Sequence, residues 1–141
     1  MSRILLIDDD DALRTVLARA LTQAGYEVVE ANEGRRAVEC LRRSPVDVVV
    51  TDLIMPGQEG IETIMQLRRD HPALPVIAMS GGMANSPHYL DLARRLGARR
   101  TLQKPFLVED IVLALRSVLP PSSAPEQPPG APPVPPTGIR S

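Results

Sequence analysis

Five short aliphatic or β-branched runs alternate along this chain with segments whose apolar residues recur at helical spacing, and that alternation admits few folds. Arg3 to Ile7 reads as a first strand, followed by Leu13, Val16, Leu17, Ala20, Leu21 and Ala24 on a helix that Gly25 can cap. Tyr26 to Glu30 reads as a second strand, Asn32 as an N-cap, and Ala37, Val38 and Leu41 as the inner face of a helix stopped by Ser44 and Pro45. Val46 to Thr51 forms a third strand, and a turn at Pro56 and Gly57 leads to a helix carrying Ile61, Ile64, Met65 and Leu67. His71-Pro72 ends it, and Leu74 to Met79 is the fourth strand. Ser86-Pro87 starts a fourth helix that Gly97 ends, Arg99 to Gln103 is a fifth strand, and Ile111, Leu115 and Val118 mark the last helix. Parallel strands joined by helices need right-handed crossovers, so the expected class is α/β, a doubly wound five-stranded parallel sheet with helices on both faces.

The chain of 141 residues holds one domain, expected over residues 1–119. From Pro120 onward nine of 22 residues are proline and apolar side chains nearly vanish, so residues 120–141 read as a Pro-rich disordered tail. Its Pro-x-x-P spacings, such as Pro125 to Pro128, can be read as SH3-like ligands, but an extended disordered linker is the expected reading, since Pro-rich segments with no packing partner are usually that. The formal net charge of −1 gives no bulk attraction to nucleic acid or to a membrane. Cys40 is the single cysteine, and His71 and His88 are far apart, so neither a disulfide nor a zinc-ligand spacing is present. The opening MSRILLIDDD lacks a long apolar leader, which makes cytoplasmic the expected location.

Polar groups close four of these elements: Asp8, Asp9 and Asp10 after ILLI, Asp52 after DVVVT, Ser80 after VIAM, and Lys104 before Pro105. Groups at the carboxyl ends of parallel strands converge on one crevice. Like carboxylates about 4 Å apart repel by about 4 kcal/mol at an effective dielectric near 20, so a cation must offset them. Mg²⁺ suits oxygen donors of this kind, with Asp9 and Asp52 as ligands and Asp8 holding a metal-bound water or bonding Lys104. Asp10 and Asp11 fall after the strand and suit the start of the helix. An ionised Asp52 is too costly to bury in the apolar core, so it faces the crevice, where it can accept a phosphoryl group. Ser80 and Lys104 are placed to hold the phosphoryl oxygens.

The segments LLIDDDDALR, VVVTDLIMPGQEGIE, VIAMSGG and TLQKPF, in that order, resemble the receiver domains of bacterial two-component response regulators across roughly residues 3 to 118. The resemblance implies a flavodoxin-like fold of receiver type, with Asp8 and Asp9 as the acidic pair, Asp52 as phosphoacceptor, Ser80 as switch hydroxyl and Lys104 as the phosphate-facing lysine. It also implies the backbone carbonyl of Ile54 as a Mg²⁺ ligand and a cis peptide before Pro105. The family commonly has an aromatic residue three positions before the lysine, where this chain has Thr101, so Leu102 or the backbone of residues 80–84 is expected to carry the signal.

By the same resemblance the phosphodonor is a sensor histidine kinase or phosphotransfer protein, and the output is a protein bound through the fourth helix, fifth strand and fifth helix, where Arg94, Arg95, Arg99 and Arg100 cluster. A phosphate relay or sink without an output of its own needs the same site. A Mg²⁺-dependent aspartyl-phosphate hydrolase needs a second acid two residues after the acceptor, and this chain has Ile54 there. A flavin binder lacks an aromatic pair, and direct DNA binding lacks a helix-turn-helix in the tail. The expected protein is therefore a switch, not a turnover enzyme.

Overall fold

The computed structural model describes residues 2–53, 59–81 and 87–119. Ten elements alternate: β1 Arg3–Ile7, α1 Asp11–Gln23, β2 Glu27–Ala31, α2 Gly34–Arg43, β3 Val48–Asp52, α3 Glu59–Asp70, β4 Val76–Ser80, α4 Pro87–Arg95, β5 Arg100–Gln103 and α5 Val108–Val118. The sheet is parallel throughout and ordered β2-β1-β3-β4-β5. The turn at Pro56 and Gly57, the Ser86 cap and residues 120–141 lie outside the described residues.

Side chains alternate across a strand, so one run of aliphatics feeds two cores. Ile4, Leu6, Val48, Val50, Ile77 and Met79 pack with α1 and α5 through Leu17, Leu21, Ile111 and Leu115. Leu5, Ile7, Val49, Val76 and Ala78 face the other way, onto Ala37, Leu41, Ile64, Leu67 and Ala93 of α2, α3 and α4. The expected doubly wound architecture is thus present.

Two helices end in the same way. Gly25 and Gly97 take positive φ, 102° and 115°, and Tyr26 N–H donates to Leu21 O at 3.1 Å as Ala98 N–H does to Ala93 O at 2.9 Å. Tyr26 is therefore spent on closing α1, and β2 starts one residue later than the hydrophobic pattern suggests. Ala31 pairs with Ile7 and its carbonyl takes the Asp8 amide at 3.1 Å. That keeps the chain extended past Glu30, and α2 begins after Glu33, not Asn32. Two residues expected inside are outside: Val16 is 66 % and Met65 52 % exposed. The inner stripe of α1 runs through Leu17, Ala18 and Leu21, and Val16 is turned away from it.

Candidate functional site

The chain reverses its direction of sheet growth between β1 and β3, the two strands flanking the switch point of this strand order. Asp8 immediately follows β1 and Asp52 is the last residue of β3, 1 % and 5 % exposed respectively. Asp9 is exposed at the mouth. One carboxylate oxygen from each of these three residues lies within 4.8 Å of the others. The sequence reading expected this cluster, and the fold assembles it from positions far apart in the chain.

Asp8 is held from several sides. Its Oδ1 accepts the Asp10 amide at 3.0 Å and its Oδ2 accepts Lys104 Nζ at 3.0 Å. Lys104 Nζ is also 3.5 Å from Asp52 Oδ1. Burial alone would push the Lys104 ammonium down, but its bond to Asp8 and the charges of Asp52 and Asp8 outweigh that and hold it above the ordinary lysine value. The Lys104-Pro105 peptide is cis. Asp10 caps α1 by accepting the Leu13 amide at 3.1 Å, and Asp11 occupies the first turn, as their place after the strand suggested.

Ser80 ends β4, fully buried, and its carbonyl accepts the Lys104 amide at 2.6 Å, so the hydroxyl-bearing and ammonium-bearing residues are adjacent across the β4–β5 ladder. The carbonyl of Ile54 and the loop position Gly82 lie outside the described residues. Thr101, half-buried, accepts a hydrogen bond from Arg94 Nη2 at 3.3 Å, which ties α4 to β5 at the position where an aromatic ring was absent from the sequence.

Three contributors escaped the sequence reading. Arg14 donates to the Asp8 carbonyl at 2.7 Å while pairing with Asp11 at 2.7 Å and Glu30 at 3.1 Å, which fixes the loop carrying the acids. Its place three residues after Asp11 was the available signal. Gly81 leaves room for the Lys104 stem, since a Cβ there would stand 2.6 Å from Lys104 Cβ. Gly60 lets α3 abut β3, since its Cβ would meet the Asp52 carbonyl oxygen at 2.5 Å and that of Leu53 closer still.

The donors suit a small, hard cation. Donors around one octahedral Mg²⁺ with bonds near 2.1 Å stand about 3 Å apart when cis and about 4.2 Å when trans, and one carboxylate oxygen from each of Asp8, Asp9 and Asp52 lies within 4.8 Å of the others. All three donors are carboxylate oxygens, the type that Mg²⁺ and Ca²⁺ prefer over softer metals. Among the described residues no helix is long and apolar enough to cross a membrane.

Comparison with known proteins agrees with this geometry. Residues 4–116 match the family model for the response regulator receiver domain. The chain is 37 % identical to the response regulator MprA of Mycobacterium leprae over 117 residues, covering 83 % of this chain and 50 % of that protein. It is 35 % identical to the transcriptional regulatory protein CpxR of Escherichia coli over 119 residues, 84 % of this chain and 50 % of that one. The chain thus spans about half the length of these curated relatives. Among solved structures, the chemotaxis protein CheY4 of Vibrio cholerae superposes with a TM-score of 0.77 at 30 % identity, covering 84 % of this chain and 99 % of that one. With its strand order, its acid cluster and this match over nearly the whole described region, the chain belongs to the response regulator receiver domain family.

Proposed function

We propose that this receiver, a member of a family that serves phosphorylation-dependent two-component signalling, accepts a phosphoryl group on Asp52 in a Mg²⁺-dependent reaction and thereby changes its binding surface for a protein partner. The observation that carries this reading is the position of Lys104 Nζ, 3.0 Å from Asp8 and 3.5 Å from Asp52, beside a carboxylate cluster fit for a cation.

In the proposed reaction an Asp52 carboxylate oxygen attacks the phosphorus of the donor. The bond from phosphorus to the donor's leaving atom breaks, and the leaving group departs with the electron pair, giving an acyl phosphate. Lys104 neutralises one phosphoryl oxygen, and the Ser80 hydroxyl donates to another. A Mg²⁺ held by Asp9, Asp52 and the Ile54 carbonyl, with Asp8 through water, would supply the remaining charge neutralisation. Attack of water on the phosphorus returns Asp52 and phosphate.

The new group brings roughly −1.5 to −2 charges. Drawing Ser80 and Lys104 toward it pulls on the ends of β4 and β5, which the Lys104–Ser80 backbone bond already joins. A near-complete population switch needs about 5.5 kcal/mol of differential stabilisation, within reach of several charge-assisted bonds. The proposed output face is α4, β5 and α5, where the side chains of Arg94, Arg95, Arg99 and Arg100 are exposed. The proposed donor is a sensor histidine kinase or phosphotransfer protein, the proposed setting the cytoplasm, and the proposed division residues 1–119 as receiver and 120–141 as tail.

The test is intact mass after incubation with a small-molecule phosphodonor, with and without Mg²⁺, beside Asp52→Asn. One Mg²⁺-dependent phosphoryl group on the unmodified chain alone is expected. An equal adduct on Asp52→Asn would overturn the assignment. Accelerated donor consumption without an adduct would point to rapid loss from the same residue, the behaviour of a phosphate sink.

A further inference from the structure

Helix α2 carries four arginines in ten residues, Arg35, Arg36, Arg42 and Arg43, and all four are exposed. Arg42 and Arg43 stand in the last turn, where positive charge suits the helix dipole. Arg35 and Arg36 stand in the first turn, where it does not, with no acid in that turn and no capping bond from the Glu33 side chain. Among the described residues none of the four guanidiniums has an ion-pair or hydrogen-bond partner, whereas Arg3, Arg14, Arg69 and Arg95 each meet an acid. Local rules broken without return inside the fold point to a role outside it.

One face of α2 holds all of this charge. At about 100° per residue, Arg35, Glu39 and Arg42 fall within about 60° of one another, flanked by Arg36 and Arg43. Along the helix this central row is base, acid, base, and its two bases are about 10.5 Å apart. Arg35, Val38 and Arg42 also wall a groove of about 380 Å³ whose far side is Glu62, Thr63 and Gln66 of α3. Both helices pack on the face of the sheet opposite α1 and α5.

We infer that the outer face of α2, with this groove, docks an α-helix of a partner protein that presents acid, base and acid over two turns. Spacing selects a helix: same-side residues of an extended segment recur at about 6.7 Å and 13 Å, and neither matches about 10.5 Å. The sign pattern selects a protein. A nucleic acid or an anionic lipid surface presents negative charge without interruption and would set some of it against Glu39 and, across the groove, Glu62. A base at the centre of the partner's row meets both acids, and half-buried Val38 gives the contact an apolar floor. A second copy of α2 brings four arginines of its own and is repelled. Exposed ion pairs are individually weak and screened by salt, so the contact is reversible and sensitive to ionic strength. Neither Asp52 nor Lys104 belongs to these two helices, so the surface stands or falls apart from the phosphoryl chemistry proposed above.

The experiment titrates the isotope-labelled full chain at low salt with a bridged helical peptide containing Glu-x-x-Lys-Lys-x-x-Glu, which offers the row in either direction. Saturable shifts are expected at the amides of Val38, Cys40, Thr63 and Gln66. A peptide of the same composition with the signs exchanged is expected to leave them in place. Arg35→Glu with Arg42→Glu is expected to weaken binding about tenfold, because two pairs become two repulsions. Arg35→Glu also puts an acid in the first turn, so the melting temperature of the double variant is expected to hold, and lost binding is then not lost fold. Glu39→Gln is expected to weaken the peptide and to strengthen inorganic polyphosphate. Absent shifts, or equal binding of the two peptides, would overturn the inference. Tighter binding of polyphosphate than of the peptide by the unmodified chain would overturn it as well, since the face would then be a general polyanion surface. So would shifts of the same amides with protein concentration alone, because the occupant would then be a second copy.

Discussion

Lys104 Nζ donates to Asp8 Oδ2 at 3.0 Å across 96 residues of sequence, and the carboxylate it meets is 1 % exposed. The pair is one end of a triangle closed by Asp52 at 3.5 Å. The ammonium therefore does two jobs at once: it offsets carboxylate repulsion in the resting protein, and it stands where a phosphoryl oxygen on Asp52 would arrive.

Lys104→Ala separates these jobs. Without the ammonium the acids are less compensated, so Mg²⁺ binding by calorimetry is expected to be at least as tight as in the unmodified chain. Phosphorylation should no longer move the amide signals of α4. Loss of Mg²⁺ binding would mean that Lys104 organises the acids and does not compete with the cation.

Mg²⁺ itself should stabilise the fold by relieving Asp8, Asp9 and Asp52, whose oxygens lie within 4.8 Å of one another. At a concentration 100 times the dissociation constant the gain is about 2.7 kcal/mol, readable as a rise in melting temperature. Asp52→Asn removes one of the like charges. It should melt higher than the unmodified chain without divalent cations and respond less to Mg²⁺. An unchanged Mg²⁺ response would remove Asp52 from the ligand set.

Gly81→Ala tests the packing that aims Lys104. The added Cβ would stand 2.6 Å from Lys104 Cβ and 3.0 Å from its Cδ, so the stem must move, at a cost of about 1 to 3 kcal/mol. Slower phosphorylation at saturating Mg²⁺ is expected, with Asp8 and Asp9 still binding the cation. Unaltered phosphorylation would show that the stem has room to shift.

The alternating pattern of the sequence was sufficient for the sheet, because buried aliphatic runs such as Ile4–Ile7 and Val48–Val50 have no other stable use in a chain of this length. The site acids were legible for the same reason: an aspartate at the end of an apolar run must find a crevice. Helix faces were less legible. Val16 and Leu17 are one residue apart and equally apolar, and only packing of α1 against the sheet decides that Leu17 is 4 % and Val16 66 % exposed. The role of Gly60 was invisible, since it depends on the backbone carbonyls of Asp52 and Leu53, and for Arg14 the spacing signalled the pair with Asp11 but not the bond to the Asp8 carbonyl. No local pattern encodes such a contact.

Tyr26 offers a test of the core beneath α5. Its ring is 1 % exposed within the cluster of Leu21, Leu115 and Leu119, and its hydroxyl completes no well-formed hydrogen bond among the described residues, although the Arg116 guanidinium lies close enough to interact with it. Burial pushes the phenol up from its ordinary value, and the charge of Arg116 and its polar contact with the hydroxyl oppose this only in part. A buried hydroxyl whose hydrogen bond is incomplete recovers little of its desolvation cost, so Tyr26→Phe should be at least as stable as the unmodified chain near neutral pH in urea unfolding. The alkaline limb should differ as well. Above about pH 10 the unfolded tyrosine ionises while the folded one stays neutral, so the folded state binds the extra proton and stability falls as pH rises. That component of the fall is absent from Tyr26→Phe, and the gap between the two proteins should widen above pH 10. Lower stability of Tyr26→Phe at neutral pH would show that the hydroxyl is bonded in solution, and parallel alkaline limbs would show that its ionisation is not suppressed by the fold.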